Sequence, residues 1–266
     1  MHIHYLDPYR QRSSLVHQLD PRVKLVLTLA FVLTTALIPT GAWAIYVLLF
    51  ALMFSVILLS ELGVGYVYKR AALAFPFVLA ALPLVFTAAG PYVLETTLGG
   101  AALRISQPGL DRFLSIAFKS WISVQAAIVL ATSTPFPELL VAMRTIKIPR
   151  LLVAIFGLMW RYLFVLADES MRLIRARAAR SGLAAQGEGK PGGGVIWRAR
   201  VTGGMAGSLF LRAFERSDRI YVAMASRGYD GEVRLLPLPA LKPAQWTILT
   251  GSLLLFLVLL ILAYLL

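Results

Sequence analysis

The chain has 266 residues, is 59% hydrophobic and carries a formal net charge of +13. A soluble domain of this length has a lower apolar fraction, so the composition excludes that class and defines an all-α polytopic membrane protein. With no cysteine, disulfides, thiolate metal sites and cysteine nucleophiles are excluded as well.

The N-terminus, MHIHYLDPYRQRSSL, has no apolar h-region, so no cleaved signal is expected. Residues 25–60 hold no charge, and Pro39-Thr40-Gly41 divides them into two spans, about 23–39 and 42–60. Asp20 and Pro21 suit the N-cap and first helical position of the first span. Arg22 and Lys24 mark that end as cytoplasmic. A third span is expected at about 71–89, with Pro76 and Pro83 as simple kinks. Residues 91–112 read as an outside loop, in which Tyr92–Thr97 and Ala101–Ile105 flank Gly99-Gly100, a weak hairpin signal. A fourth span covers about 113–133, with Lys119 near its outer end and able to snorkel. Together these form a membrane domain over residues 1–134.

The pattern then changes. Pro135 and Pro137 begin a short amphipathic helix, and Pro149 opens a long helix running to Ser181, with Gly182 as its stop. The long helix is apolar over Leu151–Trp160 and charged over Asp168–Arg180. Residues 144–234 hold 16 of the 26 Lys and Arg residues. A crossing at 150–166 would place most of them outside, against the positive-inside tendency. Residues 135–240 are therefore read as a cytoplasmic or interfacial domain. Residues 183–196 (LAAQGEGKPGGGVI) form a Gly-rich loop. A second helix follows over about 197–227, with Ala199, Gly203 and Gly207 at four-residue spacing. It carries Phe210, Phe214, Ser217, Tyr221 and Met224 on one face and Arg212, Glu215, Arg216 and Arg219 on another. Gly228 ends it. Pro237, Pro239 and Pro243 make a stiff connector to a last span at 244–266, within a C-terminal segment of 241–266, for about five spans in all.

Catalytic signals are weak. His2 and His4 form a terminal pair without a third ligand. No HExxH, GxSxG or Walker sequence occurs, so the chain is not expected to be an enzyme or to hydrolyse ATP. Instead, each long helix ends in a small-Arg-small tripeptide: Ala179-Arg180-Ser181 and Ser226-Arg227-Gly228. Small neighbours let a partner backbone approach, while a guanidinium offers five donors in a rigid fork. A solvated Arg-rich face and anionic-lipid binding are the alternatives.

These residues resemble the transmembrane scaffold (T) component of energy-coupling factor transporters, especially the cobalt/nickel-type CbiQ family. The resemblance rests on LDPRVKL at 19–25, Ser133-Thr134-Pro135 with Pro137-Glu138-Leu139-Leu140, IPRLLVAIFGLMWRYLFVLADE at 148–169, ARAARSG at 176–182 and LRAFERSDRIYVAMASRGYDG at 211–231. The family signature is an Ala-Arg-Gly/Ser tripeptide at the end of each of two long, crossed cytoplasmic coupling helices; Ser226 replaces the usual Ala here. The resemblance implies a non-catalytic subunit of a multi-pass inner-membrane importer, N-terminus cytoplasmic, taking up cobalt or nickel. A T component serving a vitamin transporter is the alternative, and a membrane enzyme acting on lipid phosphates a more distant one. It implies two ATP-binding-cassette subunits docked at the signature residues and a CbiM-like substrate-binding membrane subunit against Phe210, Phe214, Tyr221 and Met224. An optional small accessory membrane subunit is also implied. ATP and Mg would sit on the ATPases, with no cofactor, metal or nucleic acid on this chain.

Overall fold

The computed structural model describes residues 8–88, 90–98, 101–180, 194–231 and 240–265. His2, His4, Ser181, Gly182, residues 183–193, Pro237 and Pro239 lie outside the described residues. Contacts divide the chain into two units, one of Pro8–Thr145 with Leu238–Leu266, the other containing Ile146–Pro237.

The first unit is built on α2 (Pro21–Leu37), α3 (Trp43–Leu59), α7 (Gln107–Ser133) and α11 (Pro243–Leu265). α2 opens as its sequence dictates, with Pro21 at the first position and Asp20 accepting a hydrogen bond from the Arg22 N–H at 2.9 Å. Its core combines Phe31 and Ile38 with Ile45, Leu49 and Met53 of α3, Ile122 and Val129 of α7, and Phe256 and Leu259 of α11. Phe31 meets Phe256 edge-on with centroids 5.7 Å apart. Many outward side chains, including Leu33, Leu58 and Leu254, are apolar and exposed. An apolar exterior around a packed core is what a lipid solvent requires.

Contacts fix the helix directions. Phe31 meets Phe256, and farther along both helices the Tyr264 hydroxyl donates to the Leu37 carbonyl at 3.0 Å, so α2 and α11 run parallel. Lys24 meets Ser133 while Lys119 meets the opposite end of α2, so α7 is antiparallel to α2. The start of α2, the end of α7 and the start of α11 therefore share one end of the bundle. Residues 134–242 leave and re-enter the unit at that end.

Among the described residues, four helical stretches are long and apolar enough to cross a membrane: Val64–Thr87, Gln107–Ser133, Arg150–Arg180 and Pro243–Leu265. Trp43–Leu59 is apolar and slightly shorter, as is the 17-residue α2. The third expected span is interrupted: α4 (Val64–Ala71), a 3-10 turn (Ala72–Ala74), α5 (Phe75–Leu79) and α6 (Leu84–Thr87) replace one kinked helix. Pro83 has no N–H to continue the ladder, and residues 80–83 form turns. The hairpin signal corresponds to antiparallel β1 (Tyr92–Leu98) and β2 (Ala101–Ser106), with Leu98 opposite Ala101. α7 starts six residues before the expected 113, because Pro108 suits its first turn and Gly109 fits under α6. A Cβ at Gly109 would lie 2.5 Å from the Leu84 carbonyl oxygen. α11 begins at Pro243, which opens the helix and does not belong to the connector.

The short helix α8 (Phe136–Thr145) packs on α2 and so belongs by contact to this unit. A small helix, α1 (Leu15–Gln18), precedes α2. The second unit contains α9 (Arg150–Arg180) and α10 (Val195–Ala225). α10 takes in Val195 and Ile196, the last two residues of the expected loop.

Candidate functional site

α9 and α10 are each 31 residues long, so each extends about 46 Å. They run antiparallel: Glu169 meets Arg212, and eight residues on, Arg177 meets Thr202, ten residues back. The Arg212 Nη1 donates to Glu169 Oε1 at 2.6 Å, while Arg172 lies 3.7 Å from the other carboxylate oxygen. Arg177 donates to Thr202 Oγ1 at 3.4 Å, and its guanidinium lies 5.9 Å from the Trp197 ring centroid.

Towards the start of α9 the helices enclose an apolar cavity of about 380 Å³. Leu158, Tyr162, Val165 and Leu166 line one wall at helical spacing. Ser217, Ile220, Tyr221 and Met224 line the other. The expected apolar face of α10 therefore splits. Tyr221 and Met224 line the cavity shared with α9, and Phe210 and Phe214 do not; Tyr221, at 66%, is nonetheless as exposed as Phe210 at 68% and Phe214 at 60%. No residue of α10 is buried. A helix whose large aromatics remain in the open has a surface available for another molecule.

Both signature segments sit at helix ends. Ala179 and Arg180 form the exposed last turn of α9. Ser226, Arg227 and Gly228 close α10 with a paired C-terminal motif: the Gly228 N–H donates to the Ala225 carbonyl at 3.0 Å, and the Tyr229 N–H to the Met224 carbonyl at 3.0 Å. Gly228 adopts φ 77°, the left-handed conformation this motif demands and that glycine adopts without a steric penalty. Tyr229 and Met224 both line the cavity, the apolar contact that accompanies such a cap. Arg180 and Arg227 are exposed, and among the described residues neither side chain has a hydrogen-bond or ion-pair partner. Because the helices are antiparallel, the two guanidinium tips lie at opposite ends of the pair. From Thr202, beside the end of α9, to Arg227 is 25 residues, roughly 40 Å of helix.

Several contacts were not anticipated. The buried Lys24 Nζ donates to the carbonyls of Ser133 at 2.9 Å and His17 at 3.3 Å. Lys119 donates to the carbonyls of Ala36 and Ile38, closing the C-terminal end of α2 as well as being long enough to snorkel. The N-terminal segment is tied down by the Arg10 N–H donating to the Thr132 carbonyl at 2.9 Å and by Arg10 stacking 3.6 Å from the Tyr66 centroid. His17 holds the same segment, its Nε2 lying 3.0 Å from the Arg10 carbonyl and its Nδ1 2.6 Å from Ser14 Oγ. A carbonyl only accepts, so Nε2 carries the proton and Nδ1 accepts from the Ser14 hydroxyl. The only legible hint of the central ion pair was the acidic Asp168-Glu169 step in an otherwise basic half-helix.

The architecture defines a helical membrane protein that carries two long antiparallel helices with exposed, cationic ends. The family model described as "Cobalt transport protein", CbiQ, matches residues 12–238. The chain is 29% identical over 185 residues to the cobalt transport protein CbiQ of Rhodobacter capsulatus, covering 70% of this chain and 71% of the relative. It is 27% identical over 235 residues to the energy-coupling factor transporter transmembrane protein EcfT of Staphylococcus aureus, covering 85% and 84%. The EcfT of Bacillus subtilis is 27% identical over 237 residues, with the same shares. The chain belongs to the CbiQ family, the transmembrane components of energy-coupling factor transporters.

Proposed function

We propose that this chain is the non-catalytic coupling subunit of an ATP-driven cobalt or nickel importer, in which α9 and α10 carry force from two ATP-binding-cassette subunits to a substrate-binding membrane subunit. The observation that carries this reading is the separation of two exposed guanidinium tips, without a partner among the described residues, at opposite ends of one antiparallel helix pair. One rigid body could not easily satisfy both tips; two docking sites can. The Glu169–Arg212 pair lies near the middle of both helices. Relative movement of two docked ATPases would therefore turn α9 against α10 about that point.

The apolar surface that would receive the substrate-binding subunit is Phe210 and Phe214, with Tyr221 and Met224 at the mouth of the inter-helix cavity. The cavity gives the helices room to change their separation without expelling a packed core. ATP and Mg would belong to the ATPases. Cobalt as cargo is supported by the family description and by the name of the Rhodobacter relative.

The orientation that fits is a cytoplasmic N-terminus in the inner membrane. Residues 134–242 leave and rejoin the same end of the first unit, and that end carries Arg22, Lys24 and Lys242. The positive-inside tendency then places the basic 144–234 segment in the cytoplasm, with residues 150–166 at the interface. The reading is tested by Arg180→Glu and Arg227→Glu. Each should reduce co-purification with the ATPases and stop metal uptake, since a reversed charge at a closely packed contact costs about 3–5 kcal/mol. Full complex and full uptake in both variants would overturn it.

A further inference from the structure

The end of the first unit where α2 and α11 begin encloses a second cavity, of about 610 Å³, within the range of small-molecule sites. Its deeper wall is apolar, formed by Phe31, Val129 and Phe256 with their neighbours. Among its described lining residues the two cations, Lys24 and Lys242, lie at the helix starts, and none is a carboxylate. Lys24 is 6% exposed and spends two of its three ammonium donors on the neutral carbonyls of Ser133 and His17. Ser133, 2% exposed, lines the same cavity, and its hydroxyl has no hydrogen-bond partner among the described residues. The carboxylates of Asp20 and Glu138 act on Lys24 from outside the cavity, and neither lines it; on the cavity side the two ammonium groups and the Ser133 hydroxyl are left to an anionic acceptor.

The level of this opening identifies the source of that acceptor. Trp246 is exposed in the first turn of α11 beside Lys242, the Trp-and-cation pairing of a membrane–water boundary. The cavity runs from that boundary into the apolar half of the bundle. An occupant must therefore combine a negative head with a long apolar tail.

We propose that this cavity holds one anionic phospholipid of the adjoining leaflet. Its phosphate sits at Lys242 and the Lys24–Ser133 corner, and an acyl chain lies along Phe31, Val129 and Phe256. A lipid held there bridges α2, α7 and α11 at the point where residues 134–242 leave and rejoin the unit. A lipid without net charge adds no net negative charge beside Lys24 and Lys242, and inorganic phosphate leaves the apolar wall empty.

Native mass spectrometry of the purified full chain in detergent, titrated with phosphatidylglycerol, phosphatidylcholine or inorganic phosphate, tests this. Phosphatidylglycerol should form a one-to-one adduct about tenfold more readily than phosphatidylcholine, and millimolar phosphate should not displace it. Lys242→Gln, an exposed position, should reduce the preference about fivefold with unchanged thermal unfolding. Ser252→Phe, which fills the cavity wall, should remove the adduct. Equal binding of the two lipids, displacement by phosphate, or an adduct unaffected by both variants would each overturn the proposal. So would cross-links from Ser252→Cys placing a partner protein's helix in the cavity of the assembled complex.

Discussion

Arg212 donates to Glu169 across 2.6 Å and joins the midpoints of two helices that are otherwise in sparse contact. Arg212 is more than half exposed, so the pair adds only about 0.2–1 kcal/mol to stability. Its effect is on geometry, since it holds the middle of α9 against the middle of α10, with the exposed Arg177–Thr202 contact as the further polar tie nearer the end of α9. Glu169→Gln should leave the thermal midpoint within a few degrees of wild type and leave ATPase co-purification intact, yet lower uptake. The reciprocal exchange Glu169→Arg with Arg212→Glu should recover part of the loss. A double exchange as inactive as either single variant would argue against a pivot.

Gly228 offers a separate test of the α10 tip. A Cβ added there would meet nothing within 4 Å, so Gly228→Ala faces no steric obstacle beyond its φ of 77°. The backbone penalty is about 1–2 kcal/mol. The expected result is faster amide exchange over 224–229 and weaker ATPase retention, with unaltered global unfolding. Gly228→Asn should be milder, because Asn tolerates the left-handed region. Equal effects of Ala and Asn would show that backbone conformation is not what matters.

Lys24→Met should be the most damaging substitution in the first unit. It strands the Ser133 and His17 carbonyls, each costing about 1–3 kcal/mol when buried. Trypsin cleavage at Arg10 and Arg12 should accelerate as the N-terminal segment loosens. Unchanged cleavage would show that Arg10 and its stacking on Tyr66 hold the segment without Lys24.

His17 gives a pH dependence. Burial lowers its pKa below 6.5, against the raising effect of its bond to the Arg10 carbonyl. A depressed folded pKa means that the unfolded chain binds the proton more readily. Stability from this site is therefore complete above about pH 6.5 and falls as the pH drops through the lowered folded value. Thermal unfolding between pH 7.5 and 5 should show this decline, and His17→Gln should flatten it. An identical slope in the variant would assign the decline to other groups.

Much of the fold was legible because uncharged runs of span length can hardly be anything else. α2, α3 and α11 follow from such runs, and the hairpin from its paired glycines. The broken third span was not legible, because Pro76 and Pro83 are compatible with a kinked helix as well as with a turn, and only packing against α7 separates the two. The signature tips were legible as motifs. Their opposite placement was not, since it depends on pairings such as Glu169 with Arg212 that local periodicity cannot register. The splitting of the α10 apolar face was hidden for a related reason. Helical spacing groups Phe210 with Tyr221, but only the position of α9 decides which of them lines the cavity between the helices.

Docking of the two tips on ATPase subunits can be measured directly, because the chain has no native cysteine. Ala179→Cys and Ser226→Cys place single thiols beside Arg180 and Arg227 while keeping both arginines. In membranes containing the assembled transporter, each should cross-link to an ATPase subunit with a yield that changes on adding ATP. Labelling of both positions by a membrane-impermeant maleimide from the exterior, with no ATPase adduct from either, would contradict docking at these tips.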